Sequence, residues 1–214
     1  MTTSKEWFKE WILENNHPCL MAQTVFKQDH VFLKDYEGFG TQKSTDKLLE
    51  DLETYLKKYD FTDNNFFTFI ACFPNDSTNS EINFEEKLWQ QLNFLHQKDD
   101  CDWDETVEKN PESSNFSFSL KGRAFYIVGM HEKASRLARK TPFPTIVFNL
   151  HWQFEKLREM STYQTVKNRI RKRDKKLQGN INPVLKDFGE DSEAKQYSGR
   201  MPEKEWKCPF HPKN

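Results

Sequence analysis

The sequence predicts an α+β fold: one domain over residues 1–214, built on a mixed or largely antiparallel sheet flanked by helices, with an irregular tail over residues 179–214 that could cover a site. Three observations carry this prediction. Short apolar runs rich in β-branched and aromatic residues, each bounded by Gly or Pro, mark strands over residues 66–73, 124–128 and 145–150. Lys121-Gly122 is a workable two-residue hairpin turn between an alternating segment and the run at 124–128. Other stretches repeat their apolar residues every three or four positions, the period of a helix with one buried face. A chain that mixes a hairpin with strands separated by helices belongs to the α+β class.

Taken in order, Ser4 can cap a first helix whose Trp7, Phe8, Trp11 and Ile12 form one face. Pro18 stops a helix and biases His17 to an extended conformation, so residues 19–26 read as a strand. A Gly38-Phe-Gly40 loop precedes an amphipathic helix marked by Leu48, Leu49, Leu52, Tyr55, Leu56 and Tyr59. The strand at 66–73 ends at Pro74, and a polar loop over 75–80 leads to a helix carrying Phe84, Leu88, Leu92 and Leu95. Residues 97–114 are acidic and aperiodic, an exposed loop. Phe116, Phe118 and Leu120 alternate with serines, which predicts a half-buried strand. After the strand at 145–150, Phe154, Leu157, Met160, Tyr163, Val166 and Ile170 lie on one stripe of a single long helix, which becomes strongly basic: seven of the ten residues from 167 to 176 are Lys or Arg.

Composition bounds the function. The 214 residues suit one domain with a substantial core. Only 36% of them are hydrophobic, but 19 Phe, 6 Trp and 6 Tyr supply large apolar area, so the core should be aromatic. A net charge of -1 gives no global attraction to nucleic acid or membrane. The basic run at 167–176 has no interleaved aromatics and reads as a solvated helix face, so neither nucleic acid nor membrane is expected as a partner. There is no apolar run near the roughly 20 residues that cross a bilayer and no secretory core at the start, which points to the cytoplasm. Cys19, Cys72, Cys101 and Cys208 lack Cys-x-x-Cys spacing and are expected as free thiols. Cys208 and His211 have ligand-like spacing but no further ligands beside them. Without a nucleophile-elbow motif, hydrolase chemistry is disfavoured.

The chain is organised around residues 122–154, where two apolar runs each lead to a histidine, His131 and His151, with Arg136 and Arg139 between them. Polar residues at strand ends are where such scaffolds place chemistry. Arg136 and Arg139, three apart, would share a face of a short helix starting near His131, its positive end aimed at anionic groups. Asn149, His151 and Gln153 alternate; on continued strand geometry they would form a polar row on one side, whereas a helix start would make Asn149 a cap. Arg169 and Arg173, four apart, could reach an anion or a carboxylate of the tail, where Glu190, Asp191 and Glu193 are available. That pairing would fold the tail back over the body on Tyr197, Trp206 and Phe210.

The Gly-Met-His131…Ser-Arg136-x-Ala-Arg139 run, the Asn149-x-His151-x-Gln153-Phe run and the closing Trp206-x-Cys208-Pro-Phe resemble the YqcI/YcgG family. So do His17-Pro-Cys19, Arg173-Asp174, Gly179-Asn-Ile-Asn-Pro183 and Ser192-Glu-Ala-Lys-Gln-Tyr-Ser-Gly-Arg200, which extend the resemblance over nearly the whole chain. Glu132 departs from it, standing where the family pattern favours proline. The family includes heme-dependent N-oxygenases of guanitoxin and azomycin biosynthesis. The resemblance therefore implies an enzyme holding heme b and its iron, and oxidising a nitrogen of a small amine, guanidine or related metabolite with O₂ or peroxide and an external electron donor. An iron needs an axial donor and the propionates need cations. His131 is then the expected iron ligand, with Arg136, Arg139, Arg169 and Arg173 around the cofactor and His151, Asn149 and Gln153 as catalytic residues. His151, His17 and Cys19 remain open as alternative ligands, as does a homodimer. A noncatalytic heme-binding or stress-associated interaction protein on the same fold is the other reading.

Overall fold

A computed structural model describes residues 2–213. Thr3, not Ser4, caps the first helix, α1 (Ser4–Leu13): its hydroxyl accepts from Glu6 N while the Glu6 carboxylate reaches back, a reciprocal capping box. Residues 19–26, expected as a strand, are helical as α2 (Leu20–Lys27), because the Cys19 sulfur caps the helix start and Val25 and Phe26 pack against Phe8 and Ile12. The Pro18 signal is real but marks the break before α2. The strand β1 (Val31–Asp35) was not apparent from the sequence, its central Leu33 and Lys34 showing no apolar alternation. Next come α3 (Thr45–Lys58), β2 (Thr68–Cys72) and α4 (Glu81–Lys98), the last capped by Ser80. Strand β3 (Phe118–Leu120) is fully buried rather than half-buried, since Ser119 Oγ accepts from the Asp104 amide of the preceding loop (3.0 Å) while Tyr197 and Phe210 of the tail pack at its other side. The hairpin into β4 (Arg123–Met130) has Lys121 at φ 53° and Gly122 at φ 69°, the paired positive values of a tight two-residue turn.

Strand β5 (Thr145–Leu150) ends where α5 (His151–Glu159) begins. The long basic helix expected to follow is two helices, α5 and α6 (Tyr163–Gln178), broken at Ser161, whose φ of 57° no helix interior tolerates. The tail is irregular apart from one turn, α7 (Ala194–Tyr197). No helix among the described residues is long and apolar enough to cross a membrane.

The sheet order is β1-β2-β5-β4-β3, with β1 and β2 parallel and every other pair antiparallel, as a mixed and largely antiparallel sheet requires. One face carries Phe69, Phe148 and Phe125 into an aromatic core with α3 and α4. The tail joins that core through Tyr197 and Phe210, both buried, while Trp206 packs at its edge. The opposite face presents Ile70, Val147 and Val128 in one cross-strand row beneath α1 and α2. Gly129 is needed for a close approach: a Cβ there would stand 2.7 Å from the Phe84 ring and 2.9 Å from the Tyr197 carbonyl.

Candidate functional site

The second face of the sheet is incompletely filled. A cavity of ≈ 300 Å³ lies over Ile70, Val147 and Val128, roofed by Met21 and Val25 of α2 and Ile170 of α6. A neighbouring cavity of ≈ 180 Å³ shares Met21, Tyr126, Phe154 and Ile170 as walls and reaches His151 and Glu193. Together they form an apolar slot between the sheet and α6, within the size range of ligand sites.

The structure separates the residues that alternation grouped. Asn149, still in β5, faces the larger cavity, where its Oδ1 accepts from Thr68 Oγ1 (3.3 Å) and its Nδ2 donates to Tyr126 O (3.4 Å). Gln153 also lines that cavity, its Nε2 donating to Phe67 O at 2.7 Å. His151 does not join them. The chain turns helical at that residue, so His151 pairs with Glu155 one turn on and faces the smaller cavity. Asn149 makes no helix cap, and the residue before α5 has no side-chain capping bond.

His151 is 5% exposed, its ring edge-on to Phe188 at 4.4 Å, and its Nε2 lies 3.2 Å from Glu155 Oε1. Its Nδ1 is buried without a hydrogen-bond partner, the nearest carboxylate oxygen being Glu193 Oε1 at 3.9 Å. Burial lowers the affinity of this imidazole for a proton, with Glu155 opposing, so the ring tends to the neutral form. Burial likewise pushes the Glu193 carboxyl up to about 8, although Ser117 and the Tyr197 hydroxyl, donating at 3.3 Å, pull it down.

His131, expected as the iron ligand, sits otherwise. It is 1% exposed, stacked on Phe84 at 4.1 Å and 10°, and its Nδ1 accepts from the Lys133 amide at 3.3 Å. It lines neither cavity of the slot. Burial lowers its pKa to about 4, so it packs as a neutral aromatic ring. His17 and Cys19 do border the larger cavity. Both His17 nitrogens are engaged, however, Nε2 with Ala138 O (3.1 Å) and Nδ1 with Cys19 N (3.3 Å). The Cys19 sulfur accepts from Ala22 N, and burial raises its thiol pKa above the ordinary value, against thiolate character.

The four arginines also divide. No helix starts at His131; the only helical turn between β4 and β5 is a 3₁₀ turn over Leu137–Arg139, preceded by an extended Arg136. Arg136 is buried in an ion pair with Asp174 and a bond to Asn180. Arg139 is 9% exposed and held by three carbonyls, of Gly129 (3.0 Å), Tyr197 (3.2 Å) and Gln196 (3.3 Å). Among the described residues no carboxylate forms an ion pair with it, and it lines the larger cavity. Arg173 clamps the 16–18 segment through the carbonyls of Asn16, His17 and Pro18. Arg169 is exposed and lines neither cavity. The expected pairing of Arg169 and Arg173 with the acidic tail is therefore not formed: Asp191 pairs with Lys195, and Glu193 faces His151.

Several residues of the slot carried no sequence signal as a site. Tyr126, whose hydroxyl donates to Gln196 Oε1 at 3.0 Å, read as an ordinary strand aromatic. Lys167 and Arg171 at the rim, both near Asp187, were lost within the basic run. Glu193 stood out in the acidic tail, but nothing local tied it to His151.

A model of the YqcI/YcgG family matches residues 8–211. The chain is 27% identical over 211 residues to "Uncharacterized protein YqcI" of Bacillus subtilis (strain 168), covering 92% of this chain and 81% of that protein. It is 26% identical over 211 residues to "Uncharacterized protein YcgG" of the same organism, covering 90% and 80%. No solved structure matches. With nearly the whole domain matched, slot and tail included, the chain belongs to the YqcI/YcgG family.

Proposed function

We propose that this chain is a heme-dependent oxygenase that hydroxylates or oxygenates a nitrogen of a small amine, guanidine or related metabolite, with heme b held in the slot between the sheet and α6. The observation that carries the reading is the buried, unpartnered Nδ1 of His151 at the wall of an apolar slot. A buried polar atom left without a partner costs free energy, and a bound group that accepts its lone pair relieves that cost. The donor set suits heme in two further ways. Arg139 is a buried cation without an ion-pair partner among the described residues, on the cavity wall, where an anionic propionate would balance it. Lys167 and Arg171 share the single carboxylate of Asp187, which leaves one positive charge in excess at the rim.

In this reading His151, in place of His131, would hold the iron through its Nδ1, with Glu155 orienting the ring from the other nitrogen. The bound heme would supply the oxidising chemistry with O₂ or peroxide. The chain's own part is to exclude water with Phe154, Ile170 and Met21, and to hold a polar substrate near Asn149, Gln153 and Tyr126. The resemblance of the His131, His151 and Cys208 motifs to the N-oxygenases of the YqcI/YcgG family supports the reading.

The test is the absorption spectrum of protein expressed with heme supply, before and after dithionite and carbon monoxide. A stoichiometric Soret band that shifts on both additions, followed by N-oxidation in a screen of amines and guanidines, is the expected result. A colourless protein that refuses added hemin would remove the reading, and a stable heme complex without turnover would leave a binding protein.

A further inference from the structure

Helix α6 has two faces with different tasks. Val166, Lys167, Ile170 and Arg171 turn inward and wall the slot. Arg169, Lys172 and Lys176, at spacings of three and four, share the outer face, with Lys175 beside them, and all four are exposed. The inward cations are engaged, Lys167 and Arg171 by Asp187 and Arg173 by the carbonyls of residues 16–18. Among the described residues the outer four form no ion pair. On a chain of net charge -1 this is a concentrated local field, not a share of a general basic character.

The patch also has an apolar border. Leu177 and Ile181 are 42% and 44% exposed, and Leu137 is 45% exposed. The segment bearing Leu137 is tied to the end of α6 beside Leu177, where the Leu137 amide donates to Gln178 Oε1 (2.8 Å) and Gln178 Nε2 donates to Ser135 O (3.1 Å). Exposed leucine on the same helix as unpaired cations suits a protein partner with an acidic rim better than a phosphate backbone, which offers no apolar surface to match it.

We infer that the outer face of α6 is the docking surface for an acidic, one-electron carrier protein of the flavodoxin or ferredoxin class. The inference rests on the heme reading above, which requires a reductant. A single helix, about 10–12 Å across with its side chains, is all that separates this face from the slot. A carrier seated there would be oxidised by one electron per encounter while the bound cofactor is reduced by one, with no proton or leaving group required. Weak, charge-steered encounters of this kind need little buried area.

The test uses the full chain and purified flavodoxin as the probe. Binding to the heme-free protein is measured at ionic strengths of about 0.01 M and about 1 M, where charges are screened over roughly 30 Å and 3 Å. Variants are Arg169→Glu/Lys172→Glu/Lys176→Glu and, as a milder change on the same face, the corresponding triple Gln substitution. Expected are binding lost at high salt, association slowed at least about 10-fold by charge reversal, and unchanged hemin uptake and dithionite reduction. Flavodoxin binding that ignores salt and both variants would overturn the inference. So would a wild-type chain that prefers duplex DNA, or phosphatidylglycerol–phosphatidylcholine vesicles, through the same residues. If the protein takes up no hemin, the heme reading falls by itself, and flavodoxin binding to the heme-free chain still decides the surface.

Discussion

Glu193 Oε1 stands 3.9 Å from His151 Nδ1, two buried titratable groups facing one another at a distance too long for a hydrogen bond. They are distant in sequence, His151 coming from the start of α5 and Glu193 from the residue before α7. Burial drives both toward their neutral forms, the imidazole by lowering its pKa and the carboxyl by raising it to about 8. The pair thus brings no net charge to the slot at neutral pH and leaves one ring nitrogen free.

If His151 binds iron, His151→Ala removes the hemin-derived Soret band or changes its ligand-field features. His131→Ala instead keeps the spectrum and loses stability, by about 2–4 kcal/mol for truncating a fully buried ring. Spectra of the two variants, paired with urea melts, separate a ligand from a packing residue. An unchanged spectrum in His151→Ala with loss in His131→Ala would reverse the assignment.

Stability should pass through a maximum near neutral pH. His17, His96 and His131 have pKa values lowered to about 4, so the unfolded chain binds more protons between about 4 and 6.5 and stability is lost as pH falls through that window. Glu193 is raised from 4.5 to about 8, so the folded chain binds more protons between those values and its contribution to stability is lost as pH rises from about 4.5 through 8; above 6.5, with the histidine contribution complete, this loss is the net trend. Urea unfolding across pH 4–9 should show both limbs. Glu193→Gln should flatten the alkaline limb and steepen the acid limb above about pH 4.5, where the carboxyl's opposing contribution is removed.

Gly129→Ala should cost about 1–3 kcal/mol, the usual penalty of overpacking, because its Cβ would meet Phe84 at 2.7 Å and the Tyr197 carbonyl at 2.9 Å. A thermal melt reads this directly. Wild-type stability would mean that the tail can retreat from β4.

Glu85 fastens the tail. Its carboxylate accepts from Ser198 Oγ (2.8 Å), Arg200 Nε (2.8 Å) and Trp206 Nε1 (3.2 Å), with Glu85 and Arg200 both buried. Glu85→Ala leaves Arg200 with only the exposed Glu203 and should cost about 3–5 kcal/mol. Hydrogen exchange should rise first across residues 192–210.

The sequence by itself determined the layered α+β architecture, because the apolar runs bounded by Gly or Pro in β2, β4 and β5 and the period of 3.6 in α3 and α4 survive whatever surrounds them. It determined the hairpin at Lys121-Gly122 through local turn chemistry, and an aromatic core through composition. Five residues it singled out, His151, Asn149, Gln153, Arg139 and Cys19, border the slot. It misread residues 19–26, whose apolar run suits strand and helix alike until Phe8 and Ile12 are packed against it. It passed over the α5–α6 break, because one stripe continues across a residue whose φ is set locally.

Only the tertiary structure decided which histidine is sealed and which is free. His131 and His151 follow similar strands, but one slides under Phe84 of α4 while the other meets Phe188 and Glu193 of the tail. Those partners lie about forty residues away along the chain in each case. A lone pair is occupied or vacant according to what long-range packing brings to it, and no local pattern records that.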